Sequence, residues 1–157
     1  MLRIALGLVV GTLSAVPVFA QAAPAQPPAQ QAQAAPTKRE FANDAGMVLN
    51  FIKPDKTAGF EAVCAKLKEA LAKSEKPERK EQAKSWQVFK SPDPAAGGNV
   101  LYVFLINPSV KGADYTVSTI LAEAFPQEVQ TLYKQYADSY ASGQNFVNLS
   151  LVNDLGK

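Results

Sequence analysis

The chain has 157 residues, 16 Lys and Arg against 14 Asp and Glu, no histidine and one cysteine. The near balance of charge, without a basic stripe, argues against a nucleic-acid partner. Lack of histidine removes the commonest general base and metal ligand and every Ser-His or Cys-His nucleophile pair, and a lone cysteine can build neither an internal disulfide nor a thiolate zinc site.

Arg3 precedes an apolar run from Ile4 to Val18, and Val18-Phe19-Ala20 ends it with small or modest side chains. A basic start, a short apolar core and a small-x-small exit predict a signal peptide over 1–20, cleaved after Ala20. The run falls short of the roughly 20 residues of a membrane span, so no membrane association is expected after cleavage. The protein is thus expected to be secreted or periplasmic. An Ala/Gln/Pro-rich leader, 21–40, follows. It has almost nothing to bury against an ordering cost of roughly 1–2 kcal/mol per residue and is expected to be disordered. One domain is expected over 41–157.

The first strand is expected from Gly46 to Lys53, stopped by Pro54. Thr57 is placed to cap a helix whose apolar positions are Phe60, Val63, Cys64, Leu67 and Leu71, one helical face. The run Lys73 to Lys84 mixes both signs and reads as a solvated connection, with Pro77 suited to opening a helical turn. Ser85 to Lys90 is the second strand, Ser91 to Asn99 a turn region and Val100 to Ile106 the third strand. A short helix up to Phe125 and a longer one from Pro126 to about Ala141 come next. The longer helix buries Val129, Leu132, Tyr133, Tyr136 and Tyr140, with Gly143 as its stop. Asn145 to Val152 is the fourth strand.

The order is β-α-β-β-α-β. The first and third strands are apolar on both faces, whereas the second and fourth alternate. A strand apolar on both sides wants two covers, so the first and third belong in the centre. The expected class is α+β with a ferredoxin-like topology: a four-stranded antiparallel sheet with helices on one face. Leu101, Val103 and Leu105 alternate with Tyr102, Phe104 and Ile106, so the other face is apolar too. That face spans roughly 19 by 17 Å, about 320 Å² before relief, and a second subunit is its natural cover. We assign Tyr102 and Phe104 to the subunit-facing side and expect a homodimer burying about 1,600 Å² in total.

With its strand-Lys-Pro-helix stretch "VLNFIKPDKTAGFEAVCAKLKEAL", followed by "SWQVFK" and "VLYVFLI", the chain resembles the dimeric α/β-barrel superfamily, whose small members include antibiotic-biosynthesis-monooxygenase-like and stress-responsive domains. The resemblance covers roughly Phe41 to Val152 and implies two sheets paired into a barrel. Some members oxidise or bind small aromatic or haem-like ligands. With no histidine here, haem ligation and histidine-based mechanisms are not carried over, and no cofactor or metal is expected.

Polar residues inside strands are the sharpest local signal. Asn50 interrupts the first strand, and Asn148 and Ser150 the fourth. On neighbouring strands the three are expected to share the face away from the helices, either satisfying one another or lining a site. Trp86, leading an edge strand, suits either ligand stacking or packing, and Tyr102 joins it as a candidate. Cys64 reads as inert core and Glu123 as a surface glutamate. No catalytic residue is assigned. The favoured expectation is a dimeric domain with a structural or small apolar-ligand-binding role. The alternative is a cofactor-free oxygenase or isomerase acting on a small aromatic or polyketide-like substrate. A cavity of ~300 Å³ or more reaching Asn50 or Tyr102 would favour the alternative.

Overall fold

Strand β1, Ala45–Ile52, buries every second residue, Gly46, Val48, Asn50 and Ile52, and half-buries the rest. Lys53 is extended because it precedes a proline, and Pro54–Lys56 form one 3-10 turn. Helix α1, Thr57–Lys73, follows; it buries Phe60, Val63, Leu67, Ala70 and Leu71, a stripe at spacings of three and four. Thr57 lies inside the helix instead of capping it, and its hydroxyl donates weakly back to the Pro54 carbonyl at 3.4 Å. These assignments come from a computed structural model that describes residues 38–156. The expected signal peptide and most of the expected leader lie outside the described residues.

The mixed-charge run is not a solvated connection. Pro77–Ser85 is a helix, α2, with Pro77 in its first turn, Glu78 near the start and Lys84 near the end, charges that suit the helix dipole. It buries Arg79, Gln82 and Ser85, spaced three apart. Its buried stripe is polar, so hydropathy gave no sign of it.

Strand β2, Trp86–Pro94, reaches β3, Val100–Ile106, through a turn in which Gly97 and Gly98 take φ of 70° and 73°, a region side chains rarely adopt. Helices α3, Val117–Ala124, and α4, Val129–Ser139, precede β4, Tyr140–Leu149. The boundaries of α4 differ from expectation. Pro126 does not open α4, and Gly143 does not end it: the helix passes directly into β4 at Tyr140, and Gly143 is a strand residue. Within the expected stripe Leu132 and Tyr136 are buried, whereas Tyr133 is 47% exposed.

The strands form one antiparallel sheet in the order β2-β3-β1-β4. The two strands that are apolar on both sides hold the centre. Val48, Ile52, Tyr102, Phe104 and Ile106 join the α1 stripe and Ile120, Leu121, Leu132 and Tyr136 in one core. Phe60 sits in the middle, 4.8 Å from the Tyr102 ring and stacked on Phe104 and Tyr136.

This arrangement reverses one expectation. Tyr102 and Phe104 face the helices and are 2% and 1% exposed. The open face carries the alternate series: Met47, Leu49 and Phe51 on β1 and Leu101, Val103 and Leu105 on β3, each only half-buried. Alternation says which residues share a face but not which face meets the helices. The aromatic series goes under α1, where Phe60 gives it rings to pack against.

Residues 38–44 form a strap along the rim. The Arg39 amide donates to Asp114 Oδ1 at 3.0 Å, and the Arg39 carbonyl accepts from the Tyr115 amide at 2.8 Å. The Phe41 ring stacks on Phe146 with centroids 4.1 Å apart and meets Tyr115 edge-on at 5.0 Å. It lies where a Gly46 side chain would otherwise stand.

Candidate functional site

Asn50 sits in a central strand, fully buried on the helix side of the sheet. Its register partner on β4 is Gln144 and on β3 Tyr102. Every amide atom of Asn50 is used. Nδ2 donates to the Val48 and Tyr102 carbonyls at 3.0 and 3.2 Å, while Oδ1 accepts from the Tyr140 hydroxyl at 2.8 Å and Gln144 Nε2 at 2.7 Å. Gln144 Nε2 also lies 2.8 Å from the hydroxyls of Tyr136 and Tyr140, and the Arg39 guanidinium donates to Gln144 Oε1. Burial raises both tyrosine hydroxyls above the ordinary phenol value, so they act as neutral hydrogen-bonding groups.

The expected Asn50–Asn148–Ser150 group does not assemble. All three were expected on the face away from the helices, but Asn50 is on the helix side and the other two are exposed near the strap. Asn148 Oδ1 accepts from the Ala42 amide at 2.8 Å, and the Ser150 hydroxyl accepts from Asn43 Nδ2. The physical reason is register. Because β4 begins at Tyr140 and not at Asn145, Gln144 stands opposite Asn50 and Asn148 opposite Gly46. Gln144, Tyr136 and Tyr140 were the residues to find, and an earlier start for the fourth strand would have located the first.

A saturated network of this kind fixes a core more readily than it receives a ligand. Asn50→Leu therefore should take one acceptor from Gln144 Nε2 and the Tyr140 hydroxyl and one donor from the Val48 and Tyr102 carbonyls, costing ~1–3 kcal/mol. At about 4 °C per kcal/mol for a domain of this size, thermal unfolding should show a fall of roughly 4–12 °C. An unchanged melting temperature would detach the network from stability.

Trp86 turns inward. Its ring meets Phe104 at 5.6 Å and Tyr115 at 5.3 Å, and its indole N–H is buried without a partner among the described residues. It packs the core in this arrangement. Tyr102 donates its hydroxyl to Glu61 Oε1, which Lys90 Nζ also reaches at 2.9 Å, and Lys90 lies over the Tyr102 ring at 5.5 Å. The Tyr102 and Lys90 hydrogen bonds hold the Glu61 carboxyl below its ordinary value, and burial followed by the bond to Glu61 raises the Tyr102 hydroxyl. The group is a tethered ion pair on the rim, with the phenol kept protonated.

Cys64 is half-buried, and burial, followed by the nearby Glu61 charge, pushes its thiol up to about 12. A thiol held there stays protonated and unreactive at neutral pH. Glu123 is not a plain surface glutamate. It takes the Arg79 guanidinium side-on, with Nε to Oε2 at 3.1 Å and Nη2 to Oε1 at 3.0 Å, and Lys76 Nζ at 2.9 Å. Burial raises the Asp114 carboxyl, but the Thr116 hydroxyl, the Arg39 and Thr116 amides and the Arg79 charge together bring it below its ordinary value.

Two cavities flank these groups. One, of about 360 Å³, lies among α1, α2 and α3 against Ala70, Lys76, Arg79, Ile120 and Glu123. The other, of about 410 Å³, lies under the β2–β3 turn beside Lys90, Asp93 and Asn99. Neither is lined by Asn50 or Tyr102. Among the described residues no group of three His, Cys, Asp or Glu side chains could hold a metal ion, and no helix is long and apolar enough to cross a membrane. No family model, curated protein or solved structure matches this chain.

Proposed function

We propose that this is a secreted or periplasmic domain of ferredoxin-like topology that works as a homodimer, its two open sheet faces packed together in the manner of the dimeric α/β barrels. Its role is structural, or the holding of a small apolar ligand, and not catalysis. The observation that carries the pairing is the open apolar face of β1 and β3, which no helix covers among the described residues.

Four strands about 4.8 Å apart and seven residues of about 3.4 Å each make a flat face of roughly 450 Å², of which the two apolar strands supply about half. The whole face is comparable with the largest patch that a monomer usually leaves in water, roughly 300–600 Å². A second copy offers the same patch, and an isologous contact about a two-fold axis closes without leaving either face free. Against catalysis stand the lack of histidine and the internal saturation of Asn50, Gln144, Tyr136 and Tyr140.

Val103→Glu tests the pairing. Val103 is half-exposed on the open face, so a glutamate there can reach water in a monomer but becomes an unpaired charge inside a dimer seam. Equilibrium sedimentation of the mature wild type should give twice the monomer mass at tens of micromolar. The variant should give the monomer mass with an unchanged far-ultraviolet spectrum. A wild type that stays monomeric at high micromolar concentration would sink the proposal.

A further inference from the structure

The cavity under the β2–β3 turn is lined throughout by half-buried and exposed residues. The one among α1, α2 and α3 is built differently. Ala70 and Ile120, each 1% exposed, form its floor, and Arg79, 2% exposed, stands in its wall. Ala70 and Ala124 carry only methyl groups, which leaves a hollow where the three helices come together. Its volume of about 360 Å³ lies at the lower end of the roughly 300–1,000 Å³ of small-molecule sites.

The hydrogen bonds of the wall point to what the hollow takes. A guanidinium has five N–H donors. Arg79 gives Nε and one Nη2 proton to Glu123, and its two Nη1 protons to Gln82 Oε1 and the Asp114 carbonyl, which accounts for four. The second Nη2 proton has no partner among the described residues, although the side chain is buried, and an unmade bond of that kind is costly. Lys76 Nζ spends one of its three donors, on Glu123 Oε1 at 2.9 Å. Lys73 stands at the same mouth, paired with Glu69, which Lys66 also reaches. The Glu75 side chain is 96% exposed and lies 3.8 Å from Lys80. Lys73, Lys76 and Arg79 therefore border the hollow against one carboxylate set into its wall, Glu123.

We propose, resting on the ligand-holding reading above, that this cavity seats a small carboxylic acid with a hydrocarbon body. The ligand carboxylate lies between Arg79 Nη2 and Lys76 Nζ, and its apolar body lies on Ala70, Ile120 and Ala124. Charge-assisted bonds to the two side chains favour an acid over the matching alcohol. The apolar floor favours an acid with a hydrocarbon body over a bare inorganic anion. A cationic ligand would meet three like charges. Arg79 uses its spare donor, so the ion pair that joins α2 to α3 stays intact on binding.

The test titrates octanoate, octanol and inorganic phosphate into the isotopically labelled mature chain and follows the amide resonances. Octanoate should saturate at about 1 mM or below and move the amides of Ala70, Lys76, Arg79 and Ile120. Octanol and phosphate should each bind about tenfold more weakly or worse. Lys76→Gln, a change at an exposed side chain, should weaken octanoate about tenfold with an unchanged far-ultraviolet spectrum. Ala124→Leu, which fills the hollow, should also weaken it. Equal binding of octanol would overturn the selection of an acid, and equal binding of phosphate would overturn the apolar seat. Octanoate shifts confined to the open sheet face at Leu49 and Val103 would overturn this seat and leave the ligand-holding reading standing. No binding of octanoate or octanol anywhere would overturn both and leave the domain its structural role.

Discussion

Glu123→Leu is expected to destabilise the domain by about 3 kcal/mol, through what it leaves behind. The Arg79 side chain is 2% exposed, and among the described residues Glu123 is the carboxylate with which it forms an ion pair. Its Nη1 is occupied by Gln82 Oε1 at 2.7 Å and the Asp114 carbonyl, both neutral. Without the carboxylate a buried guanidinium loses its ion-pair partner and keeps only the more distant Asp114 charge. The reverse change, Arg79→Met, should cost less, because Glu123 keeps Lys76 and reaches solvent. Urea midpoints of the two variants test this asymmetry. The pair also sets a pH dependence. The Arg79 hydrogen bonds, opposed by burial and aided by Lys76, hold the Glu123 carboxyl below its ordinary value of 4.5. A depressed folded value contributes stability above the unfolded carboxylate range and loses it as pH falls through the folded value. Acidification below about pH 4.5 should therefore weaken the wild type more steeply than Glu123→Leu. Parallel acid limbs in the two proteins would refute the assignment.

Gly46→Ala should be nearly as damaging, although it adds only a methyl group. A Cβ at Gly46 would stand 2.0 and 2.1 Å from two carbons of the Phe41 ring, so the ring must leave. With it go the stacking on Phe146, the edge contact with Tyr115 and the burial of a ring now 2% exposed. Displacing a buried phenylalanine costs about 3–5 kcal/mol, and Phe41→Ala should cost about the same. The double variant is the decisive measurement. With the ring gone the added methyl has room, so Gly46→Ala/Phe41→Ala should be hardly less stable than Phe41→Ala alone. Strictly additive losses would mean that the two positions do not meet. Hydrogen exchange adds a local readout. The Tyr115 amide, held by the Arg39 carbonyl, should lose protection in Gly46→Ala more than amides in the middle of β3.

Much of the scaffold was legible in the sequence because it depends on local periodicity. The stripe Phe60, Val63, Leu67 and Leu71 marked the inner face of α1. The doubly apolar character of β1 and β3 placed them in the middle of the sheet, and Pro54 marked where the first strand gives way to helix. Gly143 misled, since a glycine after a helical pattern reads as a stop, yet the chain had already turned into β4 at Tyr140. That misplacement moved the register of β4 and sent Asn50 to the wrong partners.

By itself, the sequence determined which residues lie together on one side of a helix or strand, since that follows from the 3.6- and 2-residue repeats of the backbone. The tertiary structure decided which of two apolar sheet faces meets the helices. Both series can be buried, and only the fit of Phe60 among Tyr102, Phe104 and Tyr136 separates them. It decided, too, which polar residues go inside. Arg79 and Gln82 in a run of charges look solvated, and Asn50 looks lone, until partners 35, 44 and 94 positions away arrive to satisfy them. Burial of a polar group is governed by those distant partners, and hydropathy along the chain carries no record of them.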